Sequence, residues 1–327
     1  MSSWSPDVLG DGFEARSLSV PAPRRSRGVR RGSGASSPDD RAATLVRHVA
    51  STGTDTARPA VLYVHGFVDY FFQTHVAEHL AAAGYPFYAV DLRGYGRSVR
   101  EHDDRTIVPF VHEHAADLDA ATDAVRAEGH ERIVILGHST GGLIASLWAA
   151  ARPGVVVGLV LNSPWVDLNR GWFDRVVTTQ LMRGIGAAAP RARVSALGGD
   201  YANAMHRDHG GEWDFDLRWK PDAAFPVRAG WLNSVRRAHA RLARGLSLDI
   251  PVLVTTSDRT TPGRTREENT GTDAVLDVRH MWKRAPKLGS DVQVEIIPGG
   301  SHDLALSPAP ARDLYLKTIT DWLDTRF

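Results

Sequence analysis

Cysteine is absent from this 327-residue chain, which excludes disulfides, thiolate catalysis and Cys-ligated zinc. Charge of one sign is not in excess either. The 39 basic and 38 acidic residues leave a formal net charge of +1, without the electrostatic footprint of a nucleic-acid-binding protein. No apolar run approaches the roughly 20 residues needed to span a bilayer. The N-terminal stretch MSSWSPDVLGDGFEARSLSV lacks the charged start and apolar run of a secretory signal. The main local basic cluster, Arg24, Arg25, Arg27, Arg30 and Arg31, sits in a Pro/Ser/Gly-rich stretch, 21–40, with no apolar segment after it. That composition predicts a mobile, solvated loop. Together these absences predict a soluble cytoplasmic protein with no nucleic-acid partner and no membrane span; the oligomeric state is left open.

What is present is enough apolar material for a large core, 43% of the chain. The length exceeds one ordinary compact domain, so one large domain with an insertion is expected. Short β-branched runs alternate with helical patterns, the sign of a mostly parallel sheet with helices on both faces. Strands are expected over 13–20, 43–49, 60–66, 86–92, 132–138, 155–163, 251–258 and 292–300. Helices are expected over 74–83, 115–128, 143–151, 275–285 and 311–323. Near-continuous apolar strands suit a sheet covered on both faces. From Trp165 to about Ser247 the rhythm stops, no convincing strand appears, and aromatics accumulate: Trp165, Trp172, Phe173, Trp213, Phe215, Trp219, Phe225 and Trp231. Such an insertion predicts a mainly helical cap over the C-terminal edge of the sheet, where open α/β sheets bind ligands. The expected division is a core over 1–164, a cap over 165–247 and the rest of the core over 248–327.

The stretch RIVILGHSTGGLIASLWAA places one serine, Ser139, between glycines where a strand gives way to a helix. Small neighbours let backbone segments pass closely, so the hydroxyl projects clear of the sheet. The helix N-terminus then aims N–H groups at developing negative charge. A serine needs a base and a group to orient that base. His302, in IIPGGSHDLALS just beyond the last expected strand, supplies the base. Asp273 is the expected acid, 29 residues before it, with Asp277 and Asp258 as alternatives. The oxyanion donors are expected to be the N–H groups of Thr140 and, in VHGF, of Phe67. Phe67, His138 and Trp165 are expected to contact substrate.

VHGF, DLRGYGRS, GHSTGG and GGSHDL, in that order, resemble the α/β-hydrolase superfamily. The nearest branch is similar to the serine aminopeptidase-like group that includes monoacylglycerol lipases. The resemblance implies an α/β-hydrolase fold with a late cap. In that branch an aspartate opening an Asp-x-x-x-Asp stretch about 30 residues before the histidine completes the triad, which matches Asp273 and Asp277. The loop 259–272 is longer than is usual there, which keeps Asp258 in view. The implied chemistry is acyl transfer to water from a small-molecule ester carrying an apolar acyl or aromatic group, with no cofactor and no metal.

Other patterns weigh less. HVAEH, with His75 and His79, matches a zinc-protease spacing, but no third ligand is marked and two solvated neighbours explain it. GYGRS lacks the third glycine of a dinucleotide fingerprint. The acids Glu212, Asp214 and Asp216 offer an alternative function, capture of a peptide's free amine by an aminopeptidase. A non-catalytic ligand receptor on the same fold is the other alternative.

Overall fold

The computed structural model describes residues 3–21, 42–51, 57–99, 110–167, 189, 191–197, 199–223 and 225–327. The arginines of 24–31, and Trp172 and Phe173, lie outside the described residues.

Among the described residues a nine-stranded sheet organises the fold. Its strands are β1 (Ser5–Pro6), β2 (Phe13–Ser19), β3 (Ala42–His48), β4 (Ala60–Val64), β5 (Phe87–Asp91), β6 (Ile133–His138), β7 (Gly158–Asn162), β10 (Val252–Ser257) and β11 (Val292–Ile297). The order across the sheet is β1-β2-β3-β5-β4-β6-β7-β10-β11. The six from β5 to β11 run parallel, and β1, β2 and β3 add an antiparallel edge.

Period-two alternation sorts each parallel strand onto two cores. On β4, Ala60, Leu62 and Val64 join one cluster while Val61 and Tyr63 join the other. On β6, Ile133 and Ile135 separate in the same way from Val134 and Leu136. Helices α2 (Ala115–Ala127) and α3 (Thr140–Ala150) cover the first face with Leu118, Val125, Leu143 and Trp148. Helices α1 (Thr74–Ala82) and α8 (Ala309–Arg326) cover the second with Val76, Leu80, Tyr315 and Ile319. Each fully buried leucine of this kind contributes about 1.5–3 kcal/mol relative to exposure.

From β4 the chain crosses to β5 on one side and later returns to β6 on the other. That reversal leaves a crevice beyond the C-terminal ends of β4 and β6, the place where doubly wound sheets hold ligands. The loop after β4 and the turn after β6 both face it.

Between β7 and β10 the described residues add nothing to the main sheet. They form α4 (Asp200–Met205), α5 (Ala229–Ala243) and an antiparallel pair, β8 (Arg193–Leu197) with β9 (Phe225–Arg228). The expectation of no strand in this interval is corrected. The pair joins segments far apart in sequence, and Pro226 interrupts the pattern of β9, so neither strand declared itself locally. Two further helices, α6 (Arg266–Gly271) and α7 (Val278–Arg284), lie between β10 and β11. Among the described residues no helix is long and apolar enough to cross a membrane.

Candidate active site

Ser139 occupies the turn from β6 into α3 with φ 50° and ψ −114°. A positive φ is uncommon outside glycine and costs on the order of 1–3 kcal/mol, so the surroundings must enforce it. They do so through the backbone: Ser139 N–H donates to Asn162 O at 2.9 Å, and Ser139 O accepts from Trp165 N–H at 3.0 Å. The glycines admit this crossing. A Cβ on Gly137 would lie 2.8 Å from Gly142 Cα, and one on Gly141 would run into the carbonyl oxygens of Val64 and His65.

His302 stands on the loop after β11. Its Nε2 lies 3.1 Å from Ser139 Oγ, and its Nδ1 lies 3.0 Å and 3.1 Å from the two carboxylate oxygens of Asp273. All three residues are buried. Asp273 Oδ1 also accepts the N–H groups of Val275 (3.0 Å) and Leu276 (2.7 Å), which fixes the carboxylate opposite the imidazole.

The alternative acids are engaged elsewhere. Asp277 caps α7, accepting Arg279 N–H at 3.0 Å and its guanidinium at 2.8 Å. Asp258 accepts Gly299 N–H at 3.1 Å and so braces the loop that carries His302.

The other expected residues gather around Ser139. Thr140 opens α3, and Phe67 follows the close approach at Gly66; neither N–H is taken by an acceptor among the described residues. Phe67 stacks on Trp231 at 3.9 Å between ring centroids, and Trp165 lies 5.6 Å from Trp231. With Phe225 edge-on to Phe67 at 5.9 Å, they make an aromatic wall. His138 faces inward: it is buried, its ring 5.0 Å from that of His302 and its Nδ1 3.3 Å from Asn162 O. Burial pushes its imidazole below the usual histidine range. His65 braces the loop, accepting Leu92 N–H on Nε2 at 3.0 Å, with Nδ1 2.7 Å from Gly66 O.

The histidines of HVAEH are not solvated neighbours. His75 Nε2 lies 2.9 Å from Ala305 O and its ring stacks on Trp213, whereas His79 Nε2 meets Thr320 Oγ1 at 2.8 Å. A surface helix offered no way to foresee those partners from α8 and the His302 loop.

Several buried polar residues escaped sequence reading. Asn162, ending β7, holds both halves of the Ser–His pair. Its backbone O fixes Ser139 N, its Nδ2 donates to Asp303 Oδ1 (2.7 Å), and its Oδ1 accepts Leu304 N–H (3.2 Å). Gln73 Nε2 donates to Asp303 Oδ2 at 2.9 Å. Burial alone would raise the Asp303 carboxyl, but His138, Lys220 and the Gln73 and Asn162 donors together hold it below the usual carboxylate range. The only local signal was a polar residue closing an apolar strand.

Asp69, His138 and Asp303 together present three ligand atoms within 4.8 Å of one another. The donor set does not suit a metal. The Lys220 ammonium already pairs with Asp69 at 2.8 Å, and both oxygens of Asp303 already accept hydrogen bonds, from Gln73 on Oδ2 and from Asn162 and the Ala305 N–H on Oδ1.

Residues 55–308 match the family model of the serine aminopeptidases, S33. The chain belongs to this family of α/β-hydrolases. The monoacylglycerol lipase of Mycolicibacterium smegmatis is 28% identical over 291 residues, covering 85% of this chain and 92% of that protein. The fold is also that of a soluble variant of the monoglyceride lipase from Saccharomyces cerevisiae in complex with a substrate analog. The TM-score is 0.62 at 18% identity, over 99% of this chain and 94% of that one. The Paleococcus ferrophilus monoacylglycerol lipase aligns with a TM-score of 0.57 at 18% identity, over 83% and 96% of the two chains. At these identities the structural likeness concerns the fold alone.

Proposed function

We propose that this hydrolase cleaves carboxylic esters through an acyl-enzyme on Ser139. The observation that carries the reading is the buried file of Ser139 Oγ, His302 and Asp273, with contacts of 3.1 Å and 3.0 Å, on a backbone strained to φ 50°. Ser139 Oγ attacks the ester carbonyl while His302 Nε2 takes its proton. Asp273 holds the imidazole by Nδ1–H and stabilises the cation that forms. The N–H groups of Thr140 and Phe67 receive the oxyanion, each worth about 10²–10³ in rate. As the tetrahedral intermediate collapses, His302 returns the proton to the leaving alkoxide. Water, deprotonated by His302, then releases the acid and restores Ser139.

The aromatic wall of Phe67, Trp165, Trp231 and Phe225 favours an apolar acyl or aromatic group, in keeping with the lipase named among the relatives. We read segment 165–247 as a cap that supplies most of this wall, with Trp165, Phe225 and Trp231 facing Phe67, which comes from the core. Amine capture finds less support, because the three acids each pair with an arginine: Glu212 with Arg312, Asp214 with Arg207, and Asp216 with Arg218.

Hydrolysis of p-nitrophenyl esters of graded acyl length, set against aminoacyl arylamides, tests the reading. Turnover of the esters, lost in Ser139→Ala, supports it, and the optimum length sizes the pocket. A strong preference for the arylamides would replace it with a peptidase.

A further inference from the structure

We propose that Lys220 is a positioning residue, which couples docking of the segment after β8 to the shape of the loop that presents the Phe67 N–H. The inference rests on the reading of Phe67 as an oxyanion donor.

The loop from Phe67 to Gln73 is not held by strand pairing. Tyr70 N–H goes to Asp69 Oδ1, Phe71 N–H to Asp91 Oδ1 and Phe72 N–H to Gln73 Oε1, each at 3.0 Å. Side-chain oxygens therefore set its form. The residue after Phe67, Val68, has φ 52°, a conformation a β-branched side chain resists. Such a turn persists only if its neighbours hold it.

Two of these three oxygens are secured by residues outside the intervening segment. Asp91, at the end of β5, pairs with Arg97 at 2.8 Å, which in turn pairs with Asp7. Gln73 donates to Asp303 and to Tyr63. Asp69 differs: among the described residues its one cationic partner is Lys220, which belongs to the segment between β8 and β9. Both side chains are nearly excluded from water, with Lys220 8% and Asp69 4% exposed.

Lys220 reaches Asp69 only when its segment is seated. Its ammonium lies over the rings of Phe72 (5.1 Å) and Phe215 (5.5 Å). Lys220 N–H closes a turn on Asp216 O, and Asp216 N–H donates to Tyr70 OH at 2.7 Å. Trp219 meets the Tyr70 ring edge-on at 5.0 Å. The turn thus leans on the loop that begins with Phe67. With the turn lifted, the Asp69 carboxylate loses its counterion and must seek water. The loop then loses this ion pair together with the Tyr70 contacts to Asp216 and Trp219, and the ion pair is the anchor that stands two residues from the oxyanion N–H.

The test compares wild type, Lys220→Met, and the double variant Asp69→Asn/Lys220→Met, all as full chains. Methionine keeps much of the lysine stem without its charge, and the Asp69→Asn change keeps a side-chain oxygen for Tyr70 N–H. Hydrogen exchange is followed by mass spectrometry on peptides covering 65–73, with kcat and KM measured on the best p-nitrophenyl ester. The single variant leaves a buried carboxylate unpaired and melts lower; the double variant removes that charge and regains stability. In both variants exchange over 65–73 rises about tenfold or more, with β6 unchanged. In both, kcat falls about 10–100-fold, as expected for a misplaced donor, with KM within about threefold. A kcat restored together with stability in the double variant would overturn the inference, because the residue would then be merely structural. Unchanged exchange over 65–73 would overturn it as well. The exchange needs no turnover, so failure of the ester reading shows separately, as a wild type that cleaves no ester.

Discussion

Replacing Gly137 by alanine adds a single methyl where two segments of backbone cross. The new Cβ would stand 2.8 Å from Gly142 Cα, 2.9 Å from Gly142 N and 3.0 Å from Gly141 C. Carbon atoms rest at about 3.5–4.0 Å, so α3 must retreat from β6 by roughly 0.7 Å or more. No flexible side chain lies in the way to absorb the overlap. Overpacking of this kind costs about 1–3 kcal/mol, offset by about 0.5–1 kcal/mol from replacing a strand glycine. A net loss of about 1–2 kcal/mol follows, readable as a lower urea midpoint by tryptophan fluorescence. The larger effect falls on chemistry, because the first turn of α3 carries Ser139 and Thr140 N–H. A misplacement near 1 Å costs on the order of 10²-fold, so kcat on the best ester drops at least about tenfold. A Gly137→Ala protein with wild-type stability and rate would refute the close-crossing argument.

Two further outcomes follow from the same geometry. Asp273→Asn lowers kcat by about 10⁴-fold by presenting the wrong partner to His302. Asp277→Ala instead removes a helix cap, costing about 1 kcal/mol in a urea melt and leaving kcat within about twofold; equal kinetic losses would reopen the choice of acid. His239 is buried, with Nε2 donating to Trp165 O at 2.8 Å, and burial pushes it from 6.5 down to about 4. The unfolded chain takes up that proton first, so stability falls as pH drops through this window. Between pH 7 and pH 5 the wild type loses about 2 kcal/mol more than His239→Gln by linkage; parallel urea midpoints for the two proteins would contradict this.

The sheet was legible because both its faces are covered: runs such as AVLYV and RIVILGH have no other good use. Edges were less so. The helix expected from Leu143 begins at Thr140, its first turn hidden by Thr-Gly-Gly, poor helix formers that a close crossing requires. The helix expected from Val275 begins at Val278, with Asp277 as its cap. Helix α6 went unread although Thr265 and Glu268 have the spacing of a capping box: Thr265 Oγ1 accepts Glu268 N–H at 3.2 Å, while Glu268 Oε2 accepts the N–H of Arg264, one residue before the cap, at 2.6 Å. In the candidate site, Ser139 and His302 announced themselves by their place after strands. Asn162, Gln73, Asp303 and Lys220 did not, because their roles exist only where distant loops meet. Lys220 lies 151 residues from Asp69.

Everything proposed for this site depends on Ser139 being the nucleophile, and covalent trapping tests that most directly. Folded protein is treated with a fluorophosphonate, and the adduct is located by intact mass and peptide mapping. The expected result is one adduct, on Ser139, absent from Ser139→Ala and strongly slowed in His302→Ala. No adduct on folded wild type, or ester turnover that survives in Ser139→Ala, would contradict it.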